Sequence, residues 1–320
     1  MMRLNLPVVA DAIHYESHFH DGVWQQAAAA ICARHQLPYA SLRRSPQGEN
    51  IVFFIDQRFM LKIFAPFRDS YGRETAALEF AHGKLGIDTP ELLYTGDLEG
   101  WSYLVMTQLG GFPARDAWAA INSHERMEIV SHLGAALKNL HNHVAPLSHP
   151  ALNRDWHGFI ERQVQTCVER QRASGANPEW LERLPAYIAK RLELLPAEYN
   201  PVLLHGDIHL GNLLLTQGNG GWKLTGVFDF GDSLCGFHEY EFVAPGVLMV
   251  QGNRELQRMF LLAYGYKESQ LDMNLCARLM LLTILYECSN LRKYAMRLVP
   301  AAVNCTLDEL EAAIWTFTAE

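Results

Sequence analysis

Hydrophobic and polar positions along the chain change period several times, and the changes divide it into two parts. Val23, Trp24, Ala27, Ala28, Ile31 and Cys32 recur at helical spacing, with Asp21 placed to cap the first turn and Leu37-Pro38 to end the run. A strand-like stretch at 39–44 precedes the turn residues 45–50. Two β-rich runs then follow at 51–55 and 59–64, joined by the polar turn 56–58. The next helical pattern covers 69–85, with Asp69 or Ser70 as its cap. Pro90 opens another extended segment, and 101–108 reads as a strand ending at Gly110-Gly111.

That glycine pair is the natural hinge. Beyond it the pattern turns helical, around 123–143, 156–170, 178–195, 253–264, 272–296 and 307–318. The exception is 202–232, where short apolar strands alternate with polar loops. The expected fold class is α+β in two lobes. Residues 1–109 form a small β-rich lobe with a leading helix, and 110–320 form a larger helical lobe carrying a polar, β-containing insert.

Composition narrows the function. With 320 residues, 49% apolar and 19% charged, the chain reads as an ordinary globular protein. Its net charge of −8 argues against a general nucleic-acid binder, which needs clustered Lys and Arg, and suits a cationic small ligand. The six cysteines are scattered without a CxxC pair, as expected of reduced thiols in the cytoplasm. The N-terminal segment lacks the long apolar stretch of a signal peptide, and the run 279–286 is too short to span a bilayer.

The densest chemistry lies in Val202-Leu-Leu-His205-Gly-Asp207-Ile-His209-Leu-Gly-Asn212, followed after one hairpin by Asp229-Phe230-Gly231-Asp232. Apolar strands deliver a carboxylate, an amide and a second carboxylate into neighbouring loops. Phosphoryl transfer needs these groups: one carboxylate to accept a hydroxyl proton, and hard oxygen ligands to hold Mg²⁺ against phosphates. Asp207 suits the first task, and Asn212 with Asp229 suits the second.

HGDIHLGN followed by DFGD resembles the catalytic and metal-binding loops of the aminoglycoside phosphotransferase family, relatives of the protein kinases. The resemblance implies a bilobal protein-kinase-like fold that binds ATP (or GTP) and Mg²⁺ between its lobes. It implies that Lys62 contacts the nucleotide phosphates, that Glu74 pairs with Lys62, and that the turn with Gly48 and Asn50 covers the phosphates. The linker from Thr107 to Leu109 would meet the nucleobase. Past Asp232, relatives commonly show a Gly-Asp-Pro turn and then Tyr-Asp, whereas this chain has Gly236-Phe-His-Glu-Tyr240-Glu241. Glu241 then stands where the family's loop-bracing Asp is expected.

The implied activity is transfer of a phosphoryl group to a hydroxyl of a small, cationic molecule, an aminoglycoside in the first instance. The alternatives are a kinase of another small alcohol (macrolide, homoserine, choline or thiosugar) and a nucleotide-binding pseudokinase. A monomer or homodimer is expected. His205 is expected to orient the catalytic loop rather than to move protons, and His209 either lines the site or packs. Asp232, Glu241, Asp272 and Glu287 are candidate acids for a cationic acceptor. The pairs His141/His143 and His18/His20 have no third ligand at zinc spacing and read as structural.

Overall fold

The computed structural model of the chain describes residues 3–46, 48–298 and 305–317. Gln47 of the expected turn and Thr318 of the expected last helix lie outside them. The first lobe begins with helix α1 (Ala12–His18), which the apolar pattern did not disclose, and α2 (Val23–Arg34). Strands β1 (Leu42–Arg44), β2 (Ile51–Ile55) and β3 (Phe59–Ile63), helix α3 (Ser70–Ala81) and strands β4 (Leu92–Leu98) and β5 (Trp101–Thr107) complete it. The sheet runs β1-β2-β3-β5-β4, every neighbouring pair antiparallel.

Local chemistry moves some boundaries. Strand β1 is shorter than 39–44 because the amides of Ala40 and Ser41 donate to the Asp56 carboxylate instead of joining the ladder. Asp21 does not cap α2; Gly22 holds that position, and Asp21 pairs with His18 at 2.7 Å.

The sheet has two buried faces, and period-two alternation decides what each meets. Phe53, Leu61, Tyr103 and Val105 face α2, where Trp24 packs edge-on against Trp101 at 4.5 Å. Burying each such side chain stabilises the lobe by roughly 1.5–3 kcal/mol. Leu104 and Met106 face the other way, toward α3 and the second lobe. Lys62 lies between Leu61 and Ile63 and pairs in register with Leu104, which sends its side chain to that inner face.

Gly110-Gly111 leads into β6 (Phe112–Pro113), a short α4 (Ala114–Ala117) and α5 (Ser123–His141), which opens with a capping box between Asn122 and Glu125. Helices α6 (Trp156–Ala173) and α7 (Pro178–Leu192) follow. The insert contains β7 (Val202–Leu204), β8 (Leu213–Gly218), β9 (Gly221–Val227) and β10 (Leu234–Gly236). Strand β7 pairs with β10, and β8 lies between β6 and β9. A 3-10 turn (His238–Phe242) and a π-helical turn (Pro245–Val250) lead to α8 (Arg254–Tyr264), α9 (Met273–Leu285), α10 (Leu291–Leu298) and α11 (Leu307–Ile314).

The helix expected over 272–296 is two helices. Its break falls at 286–290, where Tyr286 is extended and bonds to the insert, and Glu287 N–H donates to the Tyr240 hydroxyl. Tertiary hydrogen bonds there outweigh an uninterrupted helical pattern. Among the described residues, no helix is long and apolar enough to cross a membrane.

Candidate active site

Strand β7 ends at Leu204 and delivers His205-Gly206-Asp207 into the cleft below the inner face of the first lobe's sheet. Gly206 sits at φ 85°, and a Cβ there would lie 2.5 Å from the Asp232 carbonyl, so the close approach of the two loops requires glycine. His205 is buried, with both ring nitrogens committed. Its Nε2 meets the Phe228 carbonyl at 3.0 Å, and its Nδ1 accepts the Asp207 N–H at 3.2 Å. The ring thus ties the loop of Asp207 to the strand end that carries Asp229. It is placed to hold the loop and not to touch a reactant.

Glu241 supports the same loop from below. Its carboxylate is fully buried and accepts the N–H of His205 at 2.6 Å and of Gly206 at 3.0 Å. That corrects its expected place among acids facing a substrate, because both oxygens point into the protein. The longer side chain reaches two successive amides. Beside it, His141 Nε2 lies 3.8 Å from Glu241 Oε2 with no hydrogen-bond partner, while His141 Nδ1 meets the Tyr264 hydroxyl at 2.9 Å.

Above the loop, Lys62 Nζ donates to Glu74 Oε2 at 2.6 Å and to Asp229 Oδ1 at 2.8 Å. Lys62 and Glu74 are buried, and the Asp229 carboxylate is half exposed to the cleft. Burial alone would lower the Lys62 pKa, but the two carboxylates outweigh it and raise it. Burial pushes Glu74 up to about 7 against the pull of Lys62. The Lys62 charge holds Asp229 below the ordinary carboxylate range. Asp229 also takes a left-handed backbone at φ 70°, a strained conformation for a residue other than glycine.

Asn212 donates its Nδ2 to the Asp207 carbonyl at 2.9 Å and to Asp207 Oδ2 at 3.0 Å, which leaves its Oδ1 as an acceptor. The Phe228 N–H donates to the Asn212 carbonyl, so β8 and β9 hold Asn212 and Asp229 at adjacent strand ends. Asp229 Oδ2 and Asn212 Oδ1 are hard oxygen donors suited to Mg²⁺. Among the described residues no three His, Cys, Asp or Glu side chains form a metal cage. That donor set fits an ion that takes one or two protein ligands and completes its shell with phosphates and water.

The remaining expected nucleotide contacts are placed unevenly. Gly48 is exposed at φ 137°, and Asn50 is buried with an unpartnered Oδ1. The Thr107 amide is already engaged. Thr107 donates this N–H to the Glu91 carbonyl at 3.0 Å, and its hydroxyl accepts the Glu91 N–H at 2.8 Å. Leu109 packs over Gly226 of β9, at the floor of the cleft.

The family model of the phosphotransferase enzyme family matches residues 41–272, a span that takes in both lobes and every group just described. The chain belongs to that family. Solved structures with the same kinase-like fold include the GDP complex of wild-type aminoglycoside 2'-phosphotransferase-IIIa. It has 16% identity and a TM-score of 0.67, over 90% of this chain and 98% of that one. The streptomycin–ATP ternary complex of APH(2")-IIa has 18% identity and a TM-score of 0.59, over 89% and 98%. Aminoglycoside phosphotransferase APH(4)-Ia has 16% identity and a TM-score of 0.60, over 91% and 99%. A search of curated proteins found no match to the sequence.

In this phosphotransferase, Asp207 also opens on a cavity of about 300 Å³, lined with His209, Leu248, Tyr286, Cys288, Asn290, Lys293 and Tyr294. Tyr286 donates its hydroxyl to the Gly206 carbonyl at 2.8 Å, which ties the cavity wall to the loop of Asp207. His209 was expected either to line the site or to pack; the wall residues of 286–294 were not singled out from the sequence as contacts. The helical pattern through 272–296 carries no Gly or Pro to announce the break that turns them inward. Of the expected substrate acids, Asp232 and Glu287 are exposed near this cavity, and both charges act on Cys288. Although its side chain reaches solvent, desolvation by the surrounding protein, with Asp207 and Asp229 nearby, raises the Asp232 pKa, and Arg73 at 3.8 Å opposes that shift. Asp272 instead caps α9, accepting the Leu275 N–H at 2.9 Å.

Proposed function

We propose that this enzyme transfers the γ-phosphoryl group of ATP to a hydroxyl of a small cationic molecule, an aminoglycoside, with Mg²⁺ held by Asn212 and Asp229. One observation carries the reading. Asp207 lines the acceptor cavity, while His205 and Asn212 of its loop bond to Phe228, next to the Asp229 that pairs with Lys62, so one carboxylate stands between a phosphate-binding side and an acceptor side. Asp207 would take the proton of the acceptor hydroxyl as it attacks phosphorus. Lys62 would neutralise charge on the phosphoryl oxygens, and Glu74 would hold Lys62 in place. Mg²⁺ held by Asn212 and Asp229 would supply further charge neutralisation.

Glu49, Asp207, Asp232 and Glu287 all place negative charge around Cys288 in the cavity wall, which supports a cationic acceptor. Structures of this fold have been solved with ATP, ADP and GDP, and with streptomycin, kanamycin and gentamicin. Lys293 in the same wall favours a second reading, the kinase of another small alcohol.

The test is ADP release from Mg²⁺-ATP with kanamycin, gentamicin, streptomycin and hygromycin as acceptors. Turnover with at least one is expected, and turnover with none discards the aminoglycoside reading. Asp207→Ala should lower kcat by about 10²–10⁴-fold. An Ala variant with full activity removes Asp207 from the role of base.

A further inference from the structure

His209 is the one polar wall residue of the acceptor cavity that also touches the Asp207 carboxylate, and nothing above gives it a task. Its Nδ1 accepts the Gly211 N–H at 2.8 Å. A nitrogen that accepts carries no proton, so the proton of the neutral ring sits on Nε2. Nε2 lies 3.3 Å from Asp207 Oδ2, the oxygen that also receives the Asn212 Nδ2 proton at 3.0 Å. Both contacts therefore fall on one oxygen of Asp207, and none on Oδ1 among the described residues.

The ring is held in that pose by its surroundings. A Cβ on residue 211 would lie 2.5 Å from His209 Cε1, so the imidazole lies against a position that only glycine leaves free. The Asn212 N–H donates to the His209 carbonyl at 2.9 Å, which fixes the backbone on which the ring is mounted.

We propose that His209 is a positioning residue that, with Asn212, engages Oδ2 of Asp207 and so presents Oδ1 to the acceptor hydroxyl. A carboxylate on a single bond can rotate and exchange its oxygens. Two donors on one oxygen remove that freedom before the acceptor arrives, which is how orientation contributes to rate. The inference rests on Asp207 acting as the base.

Two readouts on the whole 320-residue chain need no identified acceptor. In ¹⁵N-histidine-labelled protein, His209 is assigned by its loss in His209→Gln. Its ring should show the Nε2–H tautomer, and its Nε2 resonance should move in Asp207→Asn. The Nδ1–H tautomer would overturn the proposal, because the Gly211 N–H would then have no acceptor.

The second readout is Mg²⁺-ATP hydrolysis with water as acceptor. His209→Ala should lower kcat by about 10-fold or more while leaving the KM for ATP within about twofold, in line with groups that orient a reactive one. His209→Gln keeps a donor near Nε2 and should recover most of the rate, and Gly211→Ala should behave like His209→Ala. Full activity in the Ala variant, or a Gln variant no better than Ala, refutes the role. Hydrolysis at the wild-type rate by Asp207→Asn would instead refute Asp207 as the base, and the ring tautomer would be unaffected.

Discussion

The two sides of Asp207 are built from different material. On the phosphate side, Lys62 comes from the middle of a sheet, Glu74 from a buried helix face, and Asp229 from a strand end. Lys62 and Glu74 are buried and bonded to each other, so their positions are set by the core itself. On the acceptor side the wall comes from the break between α9 and α10, and includes the exposed Cys288 and Lys293. The contrast separates two requirements. Charge stabilisation at a reacting phosphorus depends on rigid placement, whereas recognition of an acceptor rests on side chains whose replacement leaves the core intact.

The largest effect should come from breaking the phosphate side. Lys62→Met leaves the Glu74 carboxyl fully buried without its partner, and removing one member of a buried pair costs about 3–5 kcal/mol. Urea unfolding should show that loss, and phosphoryl transfer should fall to background. Adding Glu74→Leu should restore much of the stability and none of the activity. If Lys62→Met unfolds at the wild-type urea concentration, the phosphate side is not held by its own ion pair.

The same contrast explains what the sequence disclosed. Strands β2 and β3 were legible because two apolar, β-rich runs joined by a short polar turn leave few other arrangements, whereas Lys62 was singled out only through the family resemblance. Glu74 was visible only through its implied partner, since most helix glutamates are solvated. The break at 286–290 was invisible because the cause lies elsewhere in the chain, in hydrogen bonds to Gly206 and Tyr240. Glu241 had the right position in sequence, but whether its carboxylate turned outward or inward depended on two amides that only folding brings beneath it. Asp272 as a helix cap could have been recognised locally, from its place just ahead of an apolar helical run.

A second test acts where the two sides join. His238 lies in the 3-10 turn below the insert, stacked on Tyr264 and within 3.0 Å of the Tyr266 hydroxyl. The neighbouring Glu239 binds Arg278 of α9 through both oxygens, so this platform links the catalytic-loop support to the acceptor-side helix. Burial lowers the His238 pKa from 6.5 to about 4. The unfolded chain takes up this proton as pH falls through 6.5, and the folded protein resists until about 4. Stability present above the unfolded value is therefore lost progressively across that window, by about 3 kcal/mol in total. Thermal midpoints measured from pH 7 downward should fall more steeply for wild type than for His238→Gln. Parallel curves would mean that His238 is not held neutral by the fold.

The smallest effects should come from the acceptor side, and their pattern matters more than their size. Glu287 sits between Tyr286 and Cys288 of the cavity wall, exposed to solvent, while Lys293 faces the same space from α10. An exposed charge acting on a charged partner is worth about 1 kcal/mol or less, and salt weakens it. With a cationic acceptor, Glu287→Gln should raise the acceptor KM about two- to fivefold, and Lys293→Met should lower it by a similar factor. Both should leave kcat and the KM for ATP unchanged, and both effects should shrink as ionic strength rises. Opposite signs from two substitutions across one cavity cannot come from general damage to the fold. If both variants instead raise the acceptor KM equally, the cavity is reading shape rather than charge, and the cationic acceptor has to be given up.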